Sequence, residues 1–223
     1  MLYEKKITVE RKFSPDSLEV VKKRYLIIKR LIDIIGAFCG MIVLFPIFLL
    51  IAILVKIDSP RGAVFFKQTR IGKNGQEFYM FKFRSMCLDA EAKLTGLLKD
   101  NEIEGAMFKM KDDPRITKIG KFIRRTSIDE FPQLWNVLRG EMSLVGPRPP
   151  LPIEVEEYTE YDKQRLLVTP GCTGLWQISG RNKLNFHQMV ELDLEYIERA
   201  STMTDIKILF KTVKVVLGSD DAF

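Results

Sequence analysis

The densest run of chemistry-bearing side chains is Arg124-Arg125-Thr126-Ser127-Ile128-Asp129-Glu130. Two adjacent carboxylates stand beside two guanidinium groups. Pro132 follows, and proline is tolerated in the first turn of a helix. Free N–H groups at a helix start and arginine forks both suit a phosphate. A carboxylate pair can hold Mg2+, which prefers oxygen ligands and bridges substrate phosphates. One of the two could instead act as a nucleophile and form an acyl phosphate. A purely local reading is also open, because Ser127 with Glu130 three residues on matches a capping box, and acids in a first turn favour the helix dipole.

A second cluster is Val145-Gly146-Pro147-Arg148-Pro149-Pro150. Prolines stiffen the backbone on both sides of one arginine. The segment is either a rigid connection or a fixed clamp for phosphate or carboxylate. A third, Pro170 to Gln177 and on through Gly180-Arg181-Asn182, is punctuated by glycines that permit close approach of backbone to a ligand. Trp176 there could stack on a base, but core packing is the simpler expectation. His187 is the one histidine, which excludes a histidine triad or a multi-histidine metal centre, and its helical context reads as surface. Cys39, Cys87 and Cys172 are far apart and form no C-x-x-C pair, which fits a reducing compartment.

These groups need elements to position them. AVFFKQ (63–68) and EFYMFKF (77–83) read as two short strands of a hairpin around Ile71-Gly72-Lys73-Asn74-Gly75. Residues 86–99, 117–125, 127–138 (closed by Gly140), 153–168, 186–199 and 204–217 carry helical patterns. Residues 141–152 and 169–181 read as irregular or as short strand. Helices outnumber strands.

Residues 31–55 are an apolar run of about 25 residues interrupted only by Asp33 and Pro46. A helix of that length can cross a hydrocarbon core of roughly 30 Å. Both flanks are basic, with Lys22, Lys23, Arg24, Lys29 and Arg30 before the run and Lys56 and Arg61 after it. A single span should be asymmetric, with its cytoplasmic side richer in Lys and Arg. A helix kinked at Pro46, entering and leaving by one face, satisfies both flanks. A true span is the other arrangement. Asp33, close to the start of the run, is expected to face headgroups or pair with Lys29 or Arg30; its other reading is a functional carboxylate within the membrane. The divisions are a polar arm (1–24), a re-entrant membrane helix (25–58) and a cytoplasmic domain (59–223).

The formal charge is +6 over 223 residues. Much of the excess flanks the apolar run, so anionic lipid accounts for it. No zinc-finger spacing, RNA-binding signature or aromatic-basic repeat points to nucleic acid.

The ordered series KRLIDI…P…LVKIDS, FFKQTRIG, FYMFKFRSM, RRTSIDEFPQLWNVLRGEMSLVGPRP, TPGCTGLWQISGR and ELDLEYI resembles the bacterial sugar transferases, the monotopic polyprenyl-phosphate phosphoglycosyl transferases. The resemblance covers roughly residues 25–217. It implies a helix-rich α/β monotopic membrane protein with a re-entrant helix, a small cytoplasmic domain of few short strands, and interfacial amphipathic helices. It implies transfer of a sugar-1-phosphate from a UDP-sugar to undecaprenyl phosphate on the cytoplasmic face of the bacterial inner membrane, with Mg2+ or Mn2+, at the start of exopolysaccharide, capsule or lipopolysaccharide assembly. By resemblance Asp129 is the nucleophile and Glu130 a metal ligand. Arg124, Arg148, Gln177, Arg181, Lys82, Arg84 and Asp193 fall on further substrate-site positions. A homo-oligomer is left open. Small members commonly carry serine before the helix-breaking proline, whereas here Phe45 precedes Pro46. Larger members carry additional N-terminal spans and a further domain, so this chain is expected to be a small member or a truncated one. Two rival classes are a non-catalytic membrane scaffold, in which the acids merely cap a helix, and another membrane phosphotransferase, which would need several spans and a spaced set of aspartates.

Overall fold

A computed structural model describes residues 15–97, 99, 110, 112–180 and 184–218. In chain order the elements are α1 (Pro15–Asp58), β1 (Phe65–Ile71), β2 (Glu77–Phe83), α2 (Ala90–Leu97), α3 (Lys118–Arg125), α4 (Gln133–Arg139), β3 (Ser143–Val145), α5 (Pro152–Glu156), α6 (Glu160–Lys163), β4 (Gly171–Thr173), α7 (Phe186–Glu198) and α8 (Thr202–Gly218). The architecture is the helix-rich one expected, with a long apolar N-terminal helix and few short strands.

The hairpin forms as read. β1 and β2 are antiparallel, with Phe65 opposite Phe83 and Ile71 opposite Glu77. Asn74 (φ 57°) and Gly75 (φ 78°) take the left-handed conformations that reverse the chain. β3 and β4 add a short parallel pair, Ser143 opposite Gly171 and Val145 opposite Thr173. The close approach leaves no room for a side chain at Gly171, where an added Cβ would lie 2.0 Å from the Gly146 nitrogen.

Two expected helices are broken, for local reasons. Over 127–138, Ser127 adopts φ 55°, a 3-10 turn covers Ile128–Glu130, and α4 starts only after Pro132. Over 153–168, the Thr159 side chain accepts from the Asp162 amide while Asp162 accepts from the Thr159 amide, so a fresh cap restarts the helix as α6.

Helix α1 is long and apolar enough to cross a bilayer, and Pro46 lies inside it. It is also part of the domain. Ala37 packs in a cluster with Phe78, Met80, Val137 and Met142, and Ile51 and Val55 pack in another with Phe83 and Ile123. A third cluster joins Val145 to Val190, Leu194, Tyr196, Ile197 and Ile208. The residues of α1 that meet the domain recur every three or four positions, which puts them on one helical face. The Tyr25 hydroxyl donates to Asp205 at 2.9 Å, and Lys29 donates to Asp205 and to the Val145 carbonyl. Arg30 donates to the Val137 and Leu138 carbonyls (2.6 and 2.8 Å) in the last turn of α4. Asp33 is buried and does not pair with Lys29 or Arg30; it accepts from the Ser143 hydroxyl and the Leu144 amide. At the far end, Asp58 accepts from the Ile119 amide in the first turn of α3. The opposite face of α1 leaves Ile35, Ile42, Val43, Phe45, Leu49, Ile53 and Ile57 exposed.

Candidate active site

The Asp129–Glu130 turn is set between α3 and α4. Thr126 ends α3, and the left-handed Ser127 swings the chain so that the turn packs on β2. The Ser127 side chain makes no capping hydrogen bond, so the capping box allowed by spacing is not formed. Glu130 turns instead to Lys82, whose ammonium donates to it at 2.7 Å. Asp129 is 7 % exposed.

The register of the hairpin decides which basic groups face this turn. Residues directly opposite share a face of the sheet. Arg70 lies opposite Phe78, Gln68 opposite Met80 and Phe66 opposite Lys82, so Arg70, Gln68 and Lys82 line one face. Arg148 comes from the loop after β3. It reaches Glu154 Oε1 at 3.6 Å, while Glu154 Oε2 accepts from the Leu151 amide at the start of α5.

This geometry splits the two acids. Burial raises the Asp129 carboxyl to about 6, with Lys82 pulling down, Glu130 pushing up and Arg124 pulling down. Burial also presses on Glu130, but Lys82, Arg148 and Arg70 outweigh it and hold Glu130 below the usual range. At neutral pH both are charged, and Asp129 is the more basic of the two.

Other expected residues fall elsewhere. Arg124 sits in the last turn of α3, close enough for its charge to favour ionised Asp129. Arg84 donates to the Ala63 carbonyl at 2.7 Å and braces the chain between α1 and β1. Asp193 is buried on α7 in an ion pair with Arg165, which also donates to the Tyr158 hydroxyl. Asp193, given a substrate-site position by resemblance, is thus held by Arg165, and burial raises it to about 6 against the pull of Arg165 and Arg148. Gln177 lies in the 3-10 turn Trp176–Ile178, which packs against α7 and α8. Arg181 lies outside the described residues. His187 is exposed, 4.0 Å from Glu191.

Among the described residues no group of three or more His, Cys, Asp or Glu side chains is gathered for a metal. Mg2+ asks for less. It is held by one or two carboxylates and completes its shell with water and phosphate oxygens. The Asp129 and Glu130 oxygens suit that demand.

Along α4 from this turn lies an apolar surface. Trp135 and Leu138 of α4, with Phe38, Met41, Ile42 and Phe45 of α1, line an open groove of about 380 Å³. Trp135 is 48 % exposed and Phe45 65 %.

The model of the bacterial sugar transferase family matches residues 24–219. The chain belongs to this family. Among its relatives in the bacterial sugar transferases is the galactosyl transferase CpsE of Streptococcus agalactiae, 50 % identical over 202 residues, which are 90 % of this chain and 44 % of that one. The UDP-galactose-lipid carrier transferase of Erwinia amylovora is 44 % identical over 88 % of this chain and 42 % of its own length. The exopolysaccharide production protein ExoY of Rhizobium meliloti is 40 % identical over 95 % of both chains. This sugar transferase chain thus spans less than half the length of the first two relatives and nearly all of the third.

Two contributors to the site escaped sequence reasoning. Arg70 stood in the quoted FFKQTRIG stretch, but only the hairpin register shows that it shares a face with Lys82. Asn136, fully buried, donates to the Tyr79 carbonyl and to Glu141 and accepts from the Phe81 amide, fixing α4 to β2. A polar residue between Trp135 and Val137 was its one sequence signal.

Proposed function

We propose that this chain transfers a sugar-1-phosphate from a UDP-sugar to undecaprenyl phosphate at the cytoplasmic face of the bacterial inner membrane, releasing UMP. The step would begin assembly of a surface polysaccharide or glycoconjugate. The observation that carries the reading is Asp129, a buried carboxylate flanked by Lys82, Arg124 and Glu130, on the turn that leads into α4, whose Trp135 and Leu138 line an apolar groove with α1. The names of the relatives support a lipid-carrier transferase, with galactose and glucose as the first donors to test.

The Asp129 carboxylate attacks the phosphorus that bears the sugar. The bond from that phosphorus to the bridging oxygen breaks, and UMP leaves with the electron pair. A phosphate oxygen of undecaprenyl phosphate then attacks the same phosphorus, the acyl–phosphate bond breaks, and Asp129 regains its carboxylate. A carboxylate held at about 6 is ionised at neutral pH and more basic than an ordinary aspartate. Arg148 and Lys82 offset the charge of a diphosphate that would otherwise repel it. Mg2+ bound by Glu130 and Asp129 would supply further neutralisation of the diphosphate.

A long-chain acceptor stays in the bilayer while the nucleotide stays in water, so the site must sit at the interface. The exposed apolar face of α1 and the Phe38–Trp135 groove offer surfaces for lipid. Contacts with the domain occur at Tyr25, Asp33 and Ala37 before Pro46 and at Phe48, Ile51 and Asp58 after it. A perpendicular crossing needs about 20 residues clear of the aqueous domain. The contacts leave no such stretch, which supports a re-entrant helix with both ends on the catalytic side.

The test is UMP release by purified protein given undecaprenyl phosphate and a panel of UDP-sugars. Asp129→Asn is expected to abolish both turnover and a covalent sugar-phosphate adduct. Substantial turnover by that variant would overturn the assignment.

A further inference from the structure

Arg70 is 5 % exposed, and among the described residues no carboxylate lies within ion-pair distance of it. Burying a guanidinium without such a partner is costly, so its surroundings must repay it or a ligand must. Two of its nitrogens are spent on neutral groups. Nη1 donates to the Pro149 carbonyl at 3.0 Å and Nη2 to Gln68 Oε1 at 2.7 Å. Its Nε is buried with no hydrogen-bond acceptor. The next residue continues the same seam, because the Ile71 amide donates to the Pro150 carbonyl at 2.9 Å. The hairpin therefore grips the Arg148 loop at two successive carbonyls. Prolines at 147, 149 and 150 carry no N–H and cannot secure the loop by donating. Their carbonyls are the groups left to hold: the Gly171 amide of β4 holds that of Pro147, and β1 holds those of Pro149 and Pro150.

Burial and then the charge of Arg148 lower the Arg70 guanidinium to about 9, against the pull of Glu154 and Glu130. Two guanidinium groups tied to one loop, one by the Pro149 carbonyl and one by its place in the chain, are suited to a ligand with two adjoining negative charges.

We propose that Arg70 is a positioning residue for the diphosphate of the donor: it clamps the Pro147–Pro150 loop to β1, fixes the Arg148 guanidinium beside Glu130, and adds its own charge behind it. The inference deepens the nucleotide-sugar reading and depends on it for the identity of the ligand. Arg70→Lys keeps the charge but loses the fork that reaches Pro149 and Gln68 together.

The experiment measures UDP binding to the full chain in detergent by calorimetry, for the unmodified protein, Arg70→Lys, Arg148→Lys and the double variant. Loss of one charge-assisted contact should weaken UDP binding about tenfold in Arg70→Lys. Because Arg70 acts through Arg148, the double variant should bind about as weakly as Arg148→Lys alone. Independent, additive losses would overturn the positioning role, as would unchanged affinity in Arg70→Lys. Hydrogen exchange gives a readout that needs no nucleotide, since the Ile71 amide should exchange faster in Arg70→Lys while the Phe81 amide, bonded to Asn136, stays protected. If the unmodified protein fails to bind UDP, the nucleotide-sugar reading falls. The Ile71 result then still decides whether Arg70 clamps the loop, and unaltered exchange there refutes it.

Discussion

Replacing Asp129 with Asn should kill the enzyme and stabilise it. In the folded chain the carboxyl titrates near 6, against 3.8 for the unperturbed group, chiefly because burial disfavours its charge. Below about pH 4 the acid is protonated in both folded and unfolded states, and it costs the fold nothing. Between about 4 and 6 the unfolded chain loses the proton while the folded chain keeps it, so stability falls as pH rises. Above about 6 the penalty is complete. A shift of about two pKa units corresponds to about 3 kcal/mol. Asn fills the same space without the charge, and removing the neighbouring charge also relieves Glu130. The stability difference between Asp129→Asn and the unmodified protein should therefore be near zero at pH 4 and grow to about 3 kcal/mol at pH 7.5. For a chain of this size that is a rise of roughly 6–12 °C in thermal midpoint. The assay is thermal unfolding in one detergent at pH 4.0, 5.0, 6.0 and 7.5, with UMP release followed in parallel. A variant less stable than its parent at pH 7.5, or a difference that does not change with pH, would refute the electrostatic account of this site.

Glu130→Gln should retain the fold, lose at least a hundredfold in UMP release and lose its response to added Mg2+ (a loss of roughly 3 kcal/mol); a magnesium titration curve matching that of the parent would end its role as a metal ligand. Arg148→Lys should raise donor KM about tenfold while leaving sedimentation with membranes unchanged, and unaltered donor kinetics would reduce the loop to a connector. Asn136→Ala should cost about 2–3 kcal/mol, since it leaves the Phe81 amide and Tyr79 carbonyl without partners, and a change under about 0.5 kcal/mol in denaturant unfolding would show that α4 is held otherwise. Cysteines introduced at Lys23 and Arg61 should both resist an impermeant thiol reagent in intact cells and both react after permeabilisation; reaction of either one in intact cells would show that α1 crosses the membrane.

What could be read from the residues was whatever local chemistry decides. The hairpin was legible because two short β-type runs flank the Ile71–Gly75 turn, and α3 was legible from the helical pattern of 117–125. The Asp129–Glu130 pair stood out by composition. Their surroundings did not, because Lys82 and Arg70 meet the turn only through the register of one strand on another, and Arg148 through a loop from elsewhere. Spacing alone could not choose between a capping box and a free pair of acids; the left-handed Ser127 did, and left-handed serine has no sequence signature. Asp193 was placed by resemblance alone, and its buried pairing with Arg165, 28 residues away in the chain, had no sequence signal. Asp33 was drawn toward its basic neighbours in sequence, although its partners, Ser143 and Leu144, are more than 100 residues away.

Helix α1 supplies side chains to two of the three hydrophobic clusters, and this bears on how the protein is made. It is synthesised before the strands and helices it packs against, and its exposed face is apolar enough to commit it to lipid. The rest of the chain must then complete its own interior on a wall already standing at the membrane surface. A fragment beginning at Ser59 would leave Phe78, Met80, Phe83 and Ile123 without the residues that cover them. Such a fragment should aggregate rather than circulate, so maturation and membrane attachment are one event, and no active form detached from the bilayer should arise by proteolysis between the helix and the hairpin.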